Sequence, residues 1–302
     1  MKNLFLLITI LVMLVWSVVS SAQNGHDGSG DFTRIAAAGP QPAFASGGTT
    51  ISPNCWRWEE LNPSKLAVAV RTVPVAYLVL SPLEWHGEAM AFGTDPAIGT
   101  RIAELAWKQT GGVLIPTLYL GSETEYKDWT STGLTSFWGM EWNTREKNPG
   151  SVYISNYLIE LVLRDMLYMI EREGFKACVL VSGHGATEYS RILAGLEEDY
   201  AERPMKVFYS KLVEMERPEN LEFPGSGDHA DFAEASILEG IDSTLVDKSL
   251  FGKTDRDRKI GLSDINVNKI DYVKGQAYIS YRAERIVTTV SRYLDSIQSL
   301  KQ

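Results

Sequence analysis

The sequence predicts one α/β domain with a mostly parallel central sheet flanked by helices. Short β-rich runs that are apolar at nearly every position mark strands covered on both faces. These runs alternate with segments of helical length and period, the order expected of a parallel sheet. At 302 residues, with 44% hydrophobic and 22% charged residues, the chain has the composition of a globular protein rather than a disordered one.

The elements can be justified in order. Lys2 precedes an apolar run from Leu4 to Val19, and Ser20-Ser21-Ala22 provides the small residues of a cleavage site. Residues 1–22 therefore read as a secretory signal peptide, and the mature protein is expected to be secreted or periplasmic; an uncleaved anchor is the alternative. No later segment approaches the roughly 20 apolar residues that span a bilayer. Residues 23–50 are rich in Gly, Ser, Ala and Pro and read as a flexible linker, with His26 a solvated tail residue. The α/β domain is expected over residues 51–302. It begins with "CWRWEELNPSKLAVAV", a covering element whose Trp56 and Trp58 pack or line something.

"VPVAYLVLS" has the nearly continuous apolar character of a central strand. A helix follows in "DPAIGTRIAELAWKQTGG", where Asp95 is expected as N-cap, Pro96 suits the first turn and Gly111-Gly112 ends it. "VLIPTLYLG" reads as a second strand. The stretch from Ser122 to Gly150, with Trp129, Trp138 and Trp142, is longer than an ordinary connection and reads as an irregular functional loop. "YISNYLIELVLRDMLYMIEREGF" is the clearest helix, closed by Gly174. "KACVLVSGHG" is a third strand, "TEYSRILAGLEEDYAER" a helix, and "MKVFYSKLV" a fourth strand. Asp228 is expected to cap "HADFAEASILEG", and "RAERIVTTVSRYLDSIQSL" forms a C-terminal helix.

Composition excludes several functions. A formal charge of −9, without any Lys/Arg run, argues against nucleic-acid binding and favours a small-molecule substrate. With only two cysteines there is no disulfide scaffold, and whether Cys55 and Cys178 pair is left open, although Cys178 reads as core. No Cys-x-x-Cys exists, so any metal must rely on His, Asp and Glu.

Three of the four histidines, His86, His184 and His229, sit beside glycine or an acid at element boundaries. In open parallel sheets the ligand site lies beyond the carboxyl ends of the strands, where "LEWHGEAMAFGTD" and "VSGHGATE" fall. Residues i and i+2 of extended chain project to the same side, so Glu84 and His86 can reach one cavity. Gly87 and Gly93 then let the chain turn back and deliver Asp95, whose two oxygens can bridge two cations.

These segments resemble the creatininase family. "LSPLEWHGEAMAFGTD" resembles its Glu-x-His-Gly and Gly-Thr-Asp signature, and "SGHGATE" its Asn-Gly-His-Gly-Gly-Asn segment. "DHADFAEAS" is similar to its third motif, His-Ala-Gly-Glu-x-Glu-Thr-Ser. The resemblance implies a creatininase-like fold, a homo-oligomer and a metal-dependent amidohydrolase with two divalent ions (Zn, Mn or Fe). It implies Glu84 and His184 on one metal, His86 on the other and Asp95 between them. Where creatininase carries a Glu two residues after the second-motif histidine, this chain has Ala186. The ligand is then expected from the third motif as Glu234, with Glu188 the reserve, and His229 is the expected proton-handling residue. His229 and Glu234 would serve as catalytic residues.

Two divalent ions set against three carboxylates and one bridging hydroxide leave such a site formally neutral, as partial burial favours. The expected function is exported hydrolysis of a small cyclic amide, formamide or related C–N bond. Creatinine itself is not the expected substrate, because there is no Trp after Trp142 to enclose it. The alternative is a non-catalytic extracytoplasmic binding protein, which Phe232 in place of a motif Glu favours.

Other readings stay open on the sequence. His229 and Glu234 are five residues apart, about 140° around an ideal helix, so they share no face. With Asp228 as cap, His229 sits at the frayed start and can bend back; otherwise only one of the pair faces the metals. Trp129, Trp138 and Trp142 either floor a substrate pocket or pack at an oligomer interface. Glu123, Glu125 and Asp128 read as a solvated acidic patch, and Glu188 equally serves as a first-turn acid at its helix.

Overall fold

In a computed structural model the described residues are 52–130, 133–210, 218–224, 229–254 and 267–299. The expected signal peptide, the linker with His26, and Asp228 lie outside them. The main sheet has five parallel strands in the order β1-β3-β2-β6-β7. These are β1 (Cys55–Arg57), β2 (Val75–Val79), β3 (Gly112–Leu114), β6 (Ala177–Val181) and β7 (Lys206–Ser210). A separate antiparallel hairpin joins β4 (Glu125–Thr130) to β5 (Gly133–Trp138). The helices used below are α1 (Pro63–Thr72), α2 (Thr94–Thr110), α3 (Glu141–Thr144), α4 (Asn156–Arg172), α5 (Thr187–Asp199), α6 (Phe232–Ile241) and α7 (Tyr272–Ser299).

Strand period two divides the core. Leu78, Leu80, Cys178 and Leu180 face Ile159, Leu163 and Leu167 of α4 and Leu193 and Leu196 of α5. Their neighbours Tyr77, Val79, Val179 and Val181 face Ile98 and Ile102 of α2 and Ile279 and Ile286 of α7 on the other side. Both faces of β2 and β6 are thus buried, which is why these strands carry no polar alternation. Trp56 and Trp58 pack onto this core, Trp58 stacked on Phe175 at 5.6 Å between ring centroids.

Several boundaries differ from expectation for identifiable reasons. The "VLIPTLYLG" strand is only three residues long, because Pro116 lacks the N–H that would continue the ladder; a lone bridge resumes pairing at Leu118. The stretch after Ser122 is not irregular throughout, since its aromatic and threonine residues pair as β4 and β5. The C-terminal helix begins at Tyr272, ten residues before Arg282, where the expected helix opens. Gly275 lies inside it because an added Cβ would stand 2.1 Å from the Ser236 carbonyl oxygen of α6. The two cysteines are free thiols: Cys55 Sγ lies 3.2 Å from the Trp107 carbonyl oxygen, whereas Cys178 is buried on the α4–α5 face.

The chain leaves β2 for β3 on one side and later returns to β6 on the other. This reversal places the carboxyl ends of three adjacent strands around one crevice, where open α/β sheets bind ligands.

Candidate metal centre

The crevice is built from four chain segments. The first follows β2 and carries Glu84 and His86, both buried. Its return delivers Asp95 into the first turn of α2, whose N-cap is Gly93 rather than Asp95. Released from capping, the Asp95 carboxylate faces the histidines and profits from the helix N-terminus. The second segment follows β6. An added Cβ on Gly183 would stand 2.0 Å from the Asp95 carbonyl oxygen, so only glycine lets this loop carry His184 against α2. The Gly183 N–H donates to Ser81 Oγ at 3.1 Å, which ties the two strand exits together.

The third segment precedes α6. Asp231, not Asp228, caps this helix, its Oδ1 accepting from the N–H groups of Ala233 and Glu234. His229 therefore stands outside the helix. Ala230 turns in the left-handed region at φ 55° and donates its N–H to Glu234 Oε2. That turn removes the helical constraint that opposed a joint role for His229 and Glu234. The fourth segment, after β3, brings Ser122 and Glu123.

The geometry is specific. Asp95 Oδ1 lies 3.2 Å from His86 Nε2, and Asp95 Oδ2 lies 3.0 Å from His184 Nδ1. Glu84 Oε2 is also 3.0 Å from His184 Nδ1, and Glu234 Oε2 is 3.6 Å from His86 Nε2. His229 stacks obliquely on His86 at 4.5 Å, with its Nδ1 4.0 Å from Glu84 Oε1. Each histidine spends its other ring nitrogen on a backbone carbonyl. His86 Nδ1 lies 3.1 Å from the Glu84 oxygen, His184 Nε2 3.1 Å from that of Ser122, and His229 Nε2 2.7 Å from that of Trp85. Carbonyls only accept, so these nitrogens carry hydrogen and the opposite nitrogens face the carboxylates.

Electrostatics reflect this crowding. Burial opposes ionisation of Glu84, but His184, His229 and His86 outweigh it and hold the carboxyl well below its ordinary value. Burial likewise disfavours charge on His86, but Asp95 and Glu234 raise it to about 10. His184 is raised well above its ordinary value by Glu84 and Asp95 against the same burial. Burial pushes Glu123 and Glu234 upward.

Among the described residues three groupings could hold a metal: Glu84 with His86 and His229, Glu84 with Glu123 and His184, and His86 with Asp95 and Glu234. The structure thus brings together Glu84, His86, Asp95, His184, His229 and Glu234. Glu188 points elsewhere, paired with Arg191 one turn along α5. Glu123 is a correction to the sequence reading: its carboxylate lies 3.7 Å from His184 Nε2 and is mostly buried, not part of a solvated patch. Beside Glu125 and Asp128, its sequence neighbourhood carried no signal that set it apart. Tyr153 was also missed; its hydroxyl donates to Glu84 Oε1 at 2.9 Å. Of the three tryptophans, Trp138 stacks on Tyr153 at 6.1 Å. Trp129 is 79% exposed on β4, and Trp142 packs between Tyr126 and Arg145.

Fold and site together define an α/β protein with a histidine–carboxylate centre at the carboxyl edge of its sheet. Residues 59–284 match the family described as Creatininase: creatinine amidohydrolase, and the chain belongs to this family of hydrolases acting on C–N bonds. Among solved structures it is similar to creatinine amidohydrolase (creatininase), with TM-score 0.61 and 16% identity over 79% of this chain and 98% of that one. The manganese form of creatininase gives TM-score 0.60, 16% identity and the same coverage. A variant creatininase complexed with creatine gives 0.59 and 16% identity over 79% and 98%. No curated protein sequence matches the chain.

Proposed function

We propose that the chain is an exported, metal-dependent amidohydrolase that binds two divalent ions and cleaves a small cyclic amide, formamide or related C–N bond. One observation carries this reading. His86 and His184 each commit one ring N–H to a backbone carbonyl and aim the other nitrogen at a carboxylate oxygen of the same Asp95. That is how histidines are prepared as ligands, and on this reading Asp95 bridges the two ions.

The residues present fit two ions. His86 Nε2 is buried and in no well-aligned hydrogen bond, although carboxylate oxygens of Asp95 and Glu234 stand 3.2 and 3.6 Å away. A buried nitrogen so placed is costly unless something lies between it and those oxygens. Glu84 and His184 would hold one ion, His86 and Glu234 the other, with Asp95 shared. The all-N/O donor set suits Zn, Mn or Fe rather than a thiolate-selected metal.

Bound ions would supply an acidified water and polarise the substrate carbonyl. The chain's own residues do the rest. His229, fixed by the Trp85 carbonyl through Nε2–H, turns Nδ1 toward Glu84 and is the group that hands a proton to the departing nitrogen. Glu234 stands 3.6 Å from His86 Nε2 on the side of the second ion, and Trp138 stacks on the Tyr153 ring. Residues 1–22 support export. Exposed Tyr157, Leu161 and Tyr168 on α4 support association of copies of the chain.

Metal analysis of the purified protein, joined to a screen of cyclic amides, formamides and ureas with Zn, Mn or Fe, tests the proposal. Two ions per chain and a C–N hydrolase activity are expected, with the activity and one of the ions lost in Glu84→Ala and His184→Ala. A folded protein that takes up no ion would instead favour the non-catalytic binding protein.

A further inference from the structure

We infer that Tyr153 is a positioning residue that holds Glu84 to the metal through a single oxygen, Oε2. The inference rests on the metal reading above. It starts from a short segment, Ser151 to Ile154, between the hairpin region and α4. Val152 donates its N–H to the Leu83 carbonyl at 2.8 Å, and the two residues form an antiparallel bridge. Ser151 Oγ accepts the Trp85 N–H at 2.9 Å. Between these two backbone ties, the Tyr153 hydroxyl donates to Glu84 Oε1 at 2.9 Å. The ligand-bearing stretch Leu83–Trp85 is therefore held at three successive residues by one neighbouring segment.

The consequence for Glu84 is directional. With Oε1 taken by a phenolic O–H, the oxygen left facing His184 Nδ1 and the Asp95 side is Oε2, at 3.0 Å from that nitrogen. A carboxylate free to rotate would offer either oxygen or both. Such outer hydrogen bonds to ligating carboxylates fix their orientation and tune metal affinity about 10- to 100-fold.

The same segment reaches the other ligand loop. Ile154 donates its N–H to the Gly121 carbonyl at 3.0 Å, next to Ser122, whose carbonyl accepts from His184 Nε2. Trp138, at the base of the β4–β5 hairpin, stacks on the Tyr153 ring with planes 16° apart. The ring is thereby held while its hydroxyl is held by Glu84, and the hairpin gains a mechanical link to one half of the metal site.

The test uses the full-length chain, Tyr153→Phe, Glu84→Gln and the double variant, each titrated with zinc against a competing chelator. Tyr153→Phe keeps the ring on Trp138 and removes only the hydroxyl. The expected result is a roughly 10-fold or greater loss at one of the two zinc equivalents, with the other equivalent unchanged. The metal-free protein should stay cooperatively folded, with at most a modest drop in melting temperature, and Tyr153→Phe should add no further loss of zinc affinity in the Glu84→Gln background. Wild-type chain that binds two zinc ions, with Tyr153→Phe indistinguishable from it or weakened equally at both equivalents, overturns the inference alone. Wild-type chain that binds no zinc overturns the metal reading and this inference with it.

Discussion

His229 and Glu234, five residues apart, both address His86: the His229 ring lies 4.5 Å from the His86 ring, and Glu234 Oε2 lies 3.6 Å from His86 Nε2. The left-handed Ala230 and the cap at Asp231 make this possible, because the helix starts between the two residues rather than before both. Asp231→Ala should therefore act twice. Loss of the cap costs about 1 kcal/mol of stability, readable by urea denaturation. The helix start that aims Glu234 is also loosened, so metal content should fall below that of wild type even at temperatures where the variant is folded.

On the proposed assignment Asp95 is a ligand shared by both ions and Glu234 a private one. In Asp95→Asn both ions should be weakened, whereas Glu234→Gln should lose one and retain the other. Metal content per chain after dialysis, by elemental analysis, distinguishes the two patterns. Equal losses in both variants would contradict the assignment of Asp95 as the bridge.

Metal uptake should release protons. In the metal-free chain Asp95 and Glu234 raise His86 to about 10 against the opposing effect of burial, while a free histidine titrates near 6.5. A raised pKa means that protonated His86 stabilises the metal-free fold fully below about pH 6.5, a contribution lost as pH rises through about 10. Within that window a divalent ion must displace the proton, so affinity should strengthen with rising pH. Calorimetric titration in two buffers of different ionisation enthalpy measures the release, and identical heats after dilution correction would count against it.

Gly183→Ala should damage the site more than the fold. A Cβ there would meet the Asp95 carbonyl oxygen at 2.0 Å, and that atom is backbone. The β6 loop must move away from α2, carrying His184 from Asp95. A large drop in metal affinity is expected alongside a smaller loss in melting temperature. A variant with wild-type metal content would show that the two loops are not held in contact.

Much of this was legible in sequence because the signals were local. The apolar runs of β2 and β6 announced strands buried on both faces. Glu84-x-His86 and Gly-His184-Gly announced candidate ligands at their carboxyl ends, since both lie within a few residues of a strong strand signal. Glu123 was not legible: beside Glu125 and Asp128 it looked like surface charge, and its burial depends on β3 ending early at Pro116 and on the β4–β5 hairpin beyond it. Tyr153 was hidden for a related reason. The helical pattern of α4 runs back to include it, yet Ser155 caps that helix and leaves Tyr153 outside it, next to Val152, which bridges Leu83.

The sequence by itself determined the α/β class, the strand ends at which the candidate ligands gather, and the identity of the three clustered histidines and their main carboxylates. These follow from periodicity and from residue type at element boundaries, which need no knowledge of distant contacts. Only the tertiary structure decided which nitrogen of each histidine faces the carboxylates and how Asp95 is freed from capping. It also decided how Ala230 reconciles His229 with Glu234, and which residues from remote segments, Glu123 and Tyr153, stand behind the ligands. Those depend on hydrogen bonds between segments tens of residues apart, and such bonds have no period in the chain.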